Sequence, residues 1–261
     1  MKIAVCYFGF PGAENGPITN NLDFKFNNFD IRESIYHNND EFLLSPLSAD
    51  VYIHTWDIKN SHLIEEMYEP TKSIYEDQSD LEFYPYEYSF SALDQIRSRL
   101  SWKNRHKKPY QIREFIGNSS RWYSAKQSIK LALQSNSKYD AIISMRMDLM
   151  FNRTFAIPEN LEENEILVSH WNDTKFVGTR AASLQNNHTY QKTGFMDLWF
   201  AGNEIVMSKF SELFDSRYNL PVNAHSASYK YAMSLGLSPR FQFYRGYDFE
   251  LHRRQVLGSN R

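Results

Sequence analysis

Residues 3–10 form an unbroken apolar run that stops at Phe-Pro-Gly, the pattern of a strand buried on both faces and ending in a loop. A second run, 49–57, is β-branched and aromatic and closes on Thr-Trp-Asp, so it reads as a strand leading into a helix from about residue 61. Between the two, residues 13–40 are rich in Asn and Asp with Phe24, Phe26 and Phe29 scattered among them. That stretch reads as a long loop with room for one helix. A short strand is expected over 72–75, inside an acidic, ring-rich segment that runs from 69 to 88 and carries Pro70 and Pro85. Residues 102–109 are basic and read as a solvated loop rather than a binding patch.

The strongest helical period lies in 118–133. Trp122, Ala125, Ile129 and Ala132 recur at helical spacing, Asn118 or Ser119 can cap the start, and Ser-Asn-Ser ends the segment. Residues 139–148 come next as a buried strand whose polar residues are confined to its C-terminal end. Helix then buried strand is the rhythm of a parallel sheet covered by helices. Further strands are expected over 165–170, 197–201 and 240–244, and helices over 203–214 and 224–235. The residues after Arg253 read as loose. There is no internal repeat.

These elements predict an α/β fold, Rossmann-like, with a mostly parallel central sheet flanked by helices. The 261 residues suit a single open α/β domain. Hydrophobic residues make up 42% and charged residues 23%, which supports a real core and excludes a disordered chain. A formal net charge of −2 provides no general field for nucleic acid or anionic lipid, so no nucleic-acid partner is expected. The sole cysteine, Cys6, excludes an internal disulfide and suits a reducing compartment. The N-terminal segment lacks a signal-like apolar region, and no stretch approaches the roughly 18 apolar residues of a membrane span. The expectation is a cytoplasmic protein with at most peripheral membrane contact.

The chemistry concentrates in Ser144-Met-Arg-Met-Asp-Leu-Met-Phe151. Alternation along the strand sends Arg146 and Asp148 to one side, where they either touch an anionic ligand, directly or through a metal, or pair with each other. Gly9 and Gly12 in the loop after the first strand, which opens with Phe8 and Phe10, let backbone approach a ligand or simply make a turn. On the long helix Tyr123 can face the cleft edge, and Lys126 can reach phosphate or solvent.

Several segments together resemble the bacterial and viral surface-polysaccharide glycosyltransferases of the GT-A fold. They are the opening strand, the strand ending His-Thr-Trp-Asp57, the helix of Tyr-Ser-x-x-x-x-Ile-x-Leu type, Tyr139-Asp-x-Ile-Ile-x-x-Arg-x-Asp-Leu-x-Phe151 and Asp197-Leu-Trp-Phe-Ala-Gly202. The resemblance implies one glycosyltransferase domain, with about 1–150 binding a nucleotide-sugar donor and about 151–261 binding a saccharide or lipid-linked acceptor. It also places nucleoside recognition at His54 and Asp57, with Trp56 stacking or packing. Asp148 matches the last carboxylate of the family's Asp-x-Asp motif, which holds Mn²⁺ or Mg²⁺ across the diphosphate. Arg146 stands in the motif's first position and cannot ligate a cation, but it can fork onto phosphate. A metal would need further ligands, for which His225, Asp248 and above all His252 are candidates. Asp197 falls where the family presents its acceptor, so it is a candidate base or an acceptor-orienting group; a cap or loop salt bridge is the plainer alternative.

Two other readings fit the same chain. A sugar nucleotidyltransferase shares the layers, although Phe10-Pro-Gly-Ala-Glu14 lacks that class's basic glycine-rich loop. A non-catalytic carbohydrate-binding protein would explain the rings, but not the Arg146 and Asp148 pair at a strand end.

Overall fold

The computed structural model describes residues 1–11, 31–78, 107–170, 194–244 and 248–251. The described strands are β1 (Ile3–Phe8), β2 (Asp50–Thr55), β3 (Lys72–Tyr75), β4 (Ala141–Arg146), β5 (Leu149–Phe151), β6 (Glu165–His170), β7 (Met196–Gly202), β8 (Ser238–Tyr244) and β9 (Phe249–Leu251). The helices are α1 (Ile31–Asn39), which continues through a π-turn into α2 (Ser45–Leu47), then α3 (Ser61–Tyr68), α4 (Lys107–Leu133), α5 (Glu204–Ser211) and α6 (Ala224–Ser234).

Seven strands form one sheet in the order β3-β2-β1-β4-β7-β6-β8, and β5 pairs with β9 in a second, small one. Strands β1, β2 and β3 run parallel to one side, and β4 joins β1 in parallel on the other. The chain's direction of winding therefore reverses between β1 and β4, and ligands of open α/β sheets bind beyond the carboxyl ends of the strands at such a point.

Alternation along the strands splits the core in two. Val5, Tyr7, Ile53, Ile143 and Met145 join one layer with Leu43, Ile64 and Tyr68. Ala4, Cys6, Tyr52 and Ile142 join the other, against Trp122, Ile129 and Ala132 of α4. Strands β1 and β4 are covered on both faces, which is why their sequences are continuously apolar.

The α/β class and every strand expected from the apolar pattern are present. The sheet is mostly parallel, as expected, with β7 alone among its described strands reversed, antiparallel to both β4 and β6. Two expectations change. The long helix starts at Lys107, not at 118; Pro109 does not prevent this, because a first-turn residue has no intrahelical use for its N–H. The β5–β9 ribbon is additional, and each of its strands has three residues. The remainder of the expected 13–40 loop, the basic stretch up to 106 and the tail after Arg253 lie outside the described residues.

Turn and cap chemistry fix the path of the chain out of β7. The side chain of Asn203 accepts the Val206 N–H at 2.9 Å and starts α5. At Gly202 a Cβ would lie 2.8 Å from Val206 Cγ1, so only glycine lets α5 fold back this closely. Among the described residues no helix is long and apolar enough to cross a membrane.

Candidate functional site

At the winding reversal, Phe8 is the register partner of Arg146, and Phe8 O accepts the Met147 N–H at 3.2 Å. Arg146 and Asp148 face each other there. Nε lies 2.7 Å from Oδ1 and Nη2 2.5 Å from Oδ2, a two-pronged contact that matches the planar fork to the carboxylate. Both side chains are largely buried, Arg146 at 13% and Asp148 at 6% exposure. Of the two arrangements the sequence left open, the structure shows the mutual pair.

The turn after β1 is tied to α4 through Ser124. Gly9, in the left-handed region at φ 89°, donates its N–H to Ser124 Oγ at 3.1 Å. Ser124 Oγ also lies 2.7 Å from His54 Nδ1 and 3.0 Å from His54 O. On the ring's other side, Nε2 is 3.1 Å from Glu76 Oε2. With a neutral ring donating Nε2–H to Glu76, Nδ1 and the His54 carbonyl oxygen share the single Ser124 hydroxyl proton. Burial lowers the pKa of His54, and the hydrogen bond and charge of Glu76 offset part of that. His54 has no exposed surface; it pins β2, α4 and the β1 turn together, so its contribution to a ligand is indirect.

A cleft of about 570 Å³ opens beside these strand ends, lined by Phe10 after β1, by residues 56–59 after β2 and by Asp77 and Gln78 after β3. Phe10 and Ile58 are half exposed, at 49% and 46%, while Trp56 is buried and stacks on Tyr123 with centroids 5.7 Å apart. Tyr123 stands behind the cleft with its hydroxyl 3.5 Å from Glu76 Oε1. Its pKa is pushed up to about 12 by burial first and by Glu76 second. Asp57 Oδ1 accepts from Asn60 Nδ2 at 2.7 Å, and its Oδ2 lies 4.0 Å from Arg32 Nη1.

Lys126 points elsewhere. Its Nζ is 2.6 Å from Glu212 Oε2 and also contacts Asp215. Burial pulls its pKa down, but hydrogen bonds and charge from the two carboxylates outweigh that, and the net direction is up. In the described structure Lys126 clamps α4 to the chain after α5.

Asp197 is the second residue of β7, inside the strand expected over 197–201. The antiparallel pairing of Met145 with Trp199 brings the start of β7 beside the end of β4. The carboxylate, 3% exposed, takes Arg121 on Oδ2 and lies 2.9 Å from His225 Nδ1 through Oδ1. With Phe8, Arg121 and Ser144 it lines one small interior cavity of about 20 Å³, so Asp197 occupies the sheet face that carries Phe8 and Ser144. Sequence reasoning missed Arg121, Ser124 and Glu76. The spacing of Arg121 and Ser124, one helical turn apart beside the Trp122 stripe, was the available signal for the first two.

The described residues do not fit a divalent cation as they stand. Asp148 has Arg146 on both oxygens, Asp248 pairs with Arg153 at 2.9 Å, and His225 is turned to Asp197. His252 and Gly12 lie outside the described residues. Among the described residues no three His, Cys, Asp or Glu side chains converge, so no chemical step is routed through a metal.

Fold and site together define an α/β chain with polar side chains gathered where parallel strands end and winding reverses. No protein-family model matches the chain, and no curated protein matches it. Solved structures do match, among them apo mouse xyloside xylosyltransferase 1, at a TM-score of 0.38 and 10% identity, covering 94% of this chain and 84% of that one. A likeness with a TM-score of 0.38 is too distant to carry a mechanism or a substrate across to this chain.

Proposed function

We propose that the chain is a glycosyltransferase that moves a sugar from a nucleoside-diphosphate donor to a hydroxyl of a saccharide or lipid-linked acceptor. The observation that carries this reading is Arg146, a forked cation held at the winding reversal, on the same carboxyl edge of the sheet as a cleft in which the exposed ring of Phe10 suits a nucleobase or sugar face. A diphosphate arriving there competes with Asp148 for the guanidinium and gains two parallel hydrogen bonds. Phe10 and Ile58 would cover the base, with Asp57 and Lys59 reaching its polar edge or ribose. Asp148, released from Arg146, would then be available to a donor hydroxyl, or to Mn²⁺ or Mg²⁺ completed by His252. The sequence resemblance to surface-polysaccharide glycosyltransferases supports the same chemistry.

Thermal-shift measurements with UDP, GDP, CMP and their sugars, each with and without Mn²⁺, test the reading, because a ligand that binds only the folded chain raises its Tm. A nucleotide-dependent rise that disappears in Arg146→Ala is expected. No rise with any nucleotide, in a protein that melts cooperatively, would sink the proposal. A rise that requires Mn²⁺ would add the metal.

A further inference from the structure

We infer that the small interior cavity between α4, β4, β7 and α5 binds a water molecule, held by Ser144 Oγ, Trp122 Nε1 and the Asp197 carboxylate. This water fastens helix and strands together at the winding reversal, whatever chemistry the site performs. The cavity's volume of about 20 Å³ exceeds the roughly 10–15 Å³ that admits one water and falls far short of the roughly 300 Å³ at which ligand pockets begin. Size therefore excludes a sugar or a nucleotide. Much of the wall is apolar, with Phe8, Phe200, Phe210 and Leu213 in it, and a cavity with only such a wall stays dry. Two buried polar atoms make the difference here.

Ser144 and Trp122 both line the cavity, and they are buried, at 1% and 4% exposure. Among the described residues neither Ser144 Oγ nor Trp122 Nε1 has a hydrogen-bond partner. The fold brings the two together. Ser144 stands in β4 between Cys6 of β1 and Phe200 of β7, and alternation puts it on the face of Ile142, the layer covered by α4. Trp122 belongs to the stripe by which α4 packs on that same layer. An unpaired hydroxyl and an unpaired indole N–H each cost stability in the interior. One molecule that pairs with both removes both costs.

Donor and acceptor capacities fix how the water sits. An indole N–H only donates, so the water oxygen accepts from Trp122. The Ser144 hydroxyl can give or take a proton and pairs with the water in either sense. One O–H of the water is left, and the carboxylate in the wall is Asp197. Its two oxygens contact Arg121 and His225, yet a carboxylate has about four lone-pair sites, and the third bond falls to one of them. Three bonds is the usual number for a buried water. The other polar groups of the wall are turned away: Lys126 to Glu212 and Asp215, and the Ser211 hydroxyl to Ser208 O at 2.7 Å. Ser144 precedes Arg146 by two residues in β4, and Trp122 follows Arg121 directly in α4. The water therefore ties the strand that carries Arg146 to the helix and strand that carry the Arg121–Asp197 pair, and it solvates a carboxylate that is otherwise 3% exposed.

Nuclear magnetic resonance of the isotope-labelled full chain tests this at the Trp122 indole N–H, one of five in the chain. The expected result is a dipolar cross-peak from that N–H to water, with the sign given by a water that tumbles with the protein. Ser144→Ala keeps the space and removes the hydroxyl. The cross-peak should remain, carried by water and not by the serine proton, and Tm should fall by about 2–4 °C, the shift that one lost hydrogen bond produces in a chain of this size. Ser144→Val fills the space, so the cross-peak should disappear and Tm should fall further, because the Trp122 N–H is then stranded. A dry cavity predicts the opposite sign, with a higher Tm in both variants, since an unpaired hydroxyl is removed and, in the valine, a void is filled. No cross-peak in wild type, its loss in Ser144→Ala, its survival in folded Ser144→Val, or a Tm at or above that of wild type in either variant would overturn the inference. If Ser144→Val fails to fold, wild type and Ser144→Ala decide it.

Discussion

Arg146 and Asp148, two residues apart at the end of β4, close a two-pronged ion pair on each other, 2.7 Å and 2.5 Å between partners. Any anion that recruits the guanidinium must displace a carboxylate already in place, so Arg146 exchanges partners rather than waiting open. Arg146→Lys keeps the charge and loses the fork. Nucleoside-diphosphate affinity should fall by about tenfold, the equivalent of one charge-assisted hydrogen bond, with little change in Tm. Calorimetry decides it: equal affinity in the two proteins would leave Arg146 with a structural role only.

Asp148→Asn separates stability from function at the same pair. Removing one charge from a largely buried pair strands the other, and this costs up to about 3–5 kcal/mol in fully buried cases. The 13% exposure of Arg146 and the remaining amide oxygen should hold the loss nearer the lower end. Urea unfolding of Asp148→Asn, Arg146→Met and the double variant measures the coupling. A coupling indistinguishable from zero would mean that solvent already carries both charges.

Ser124→Ala removes the one hydroxyl that joins Gly9, His54 and α4. Its Oγ is buried and serves the Gly9 N–H, His54 Nδ1 and His54 O, so the alanine leaves buried polar atoms unpaired. The expected loss is about 1–3 kcal/mol in denaturant unfolding, together with a weaker nucleotide shift because the turn carrying Phe10 loosens. A variant as stable as wild type would show that water replaces the hydroxyl.

Acid should destabilise the fold through two histidines. Burial lowers the folded-state pKa of His54, and burial lowers that of His170 to about 4, against 6.5 for the ordinary side chain. Between those values the unfolded chain binds more protons, so stability falls as pH drops from 6.5 toward 4 and is fully present above 6.5. His170→Gln should flatten that decline relative to wild type. Parallel stability profiles for the two proteins would show that His170 titrates as it does in the unfolded chain.

Gly202→Ala puts a methyl group against Val206, a side chain stiff at χ1. Overpacking of this kind costs about 1–3 kcal/mol, and Val206→Ala in the same chain should return part of it. Thermal melts of the single and double variants read the coupling; strict additivity would mean that α5 simply moves away.

Much of this fold was legible because each strand buried on both faces leaves a continuous apolar run, as in β1 and β4, and each helix end carries its own chemistry, as at Asn203. The direction of β7 was not legible, because its composition is the same whichever way it pairs with β4. The first turns of α4 were hidden by Pro109 and by a basic stretch that resembles solvated loop. At the site, Arg146 and Asp148 were identifiable from alternation and strand-end position, and Asp197 only through the family resemblance. Glu76 was not, since its role depends on which elements cross the sheet, and His225 was visible only as a potential metal ligand. Phe243 shows the limit most plainly. Its left-handed backbone, φ 57°, places it in one core layer while Phe241 packs against the other, so alternation along β8 misassigns one of the two.

The reversed strand also sets a timetable for synthesis. Strand β4 emerges with its outer edge unpaired, and the residues that will cover it, Trp199 to Gly202 opposite Met145 to Ile142, are made only after the intervening chain. At about 5–20 residues per second that edge stands open for several seconds, displaying Ile142 and Ile143, a template on which another nascent chain can dock. Yield of folded protein should therefore respond to translation speed across residues 149–195 and to chaperones acting on the nascent chain.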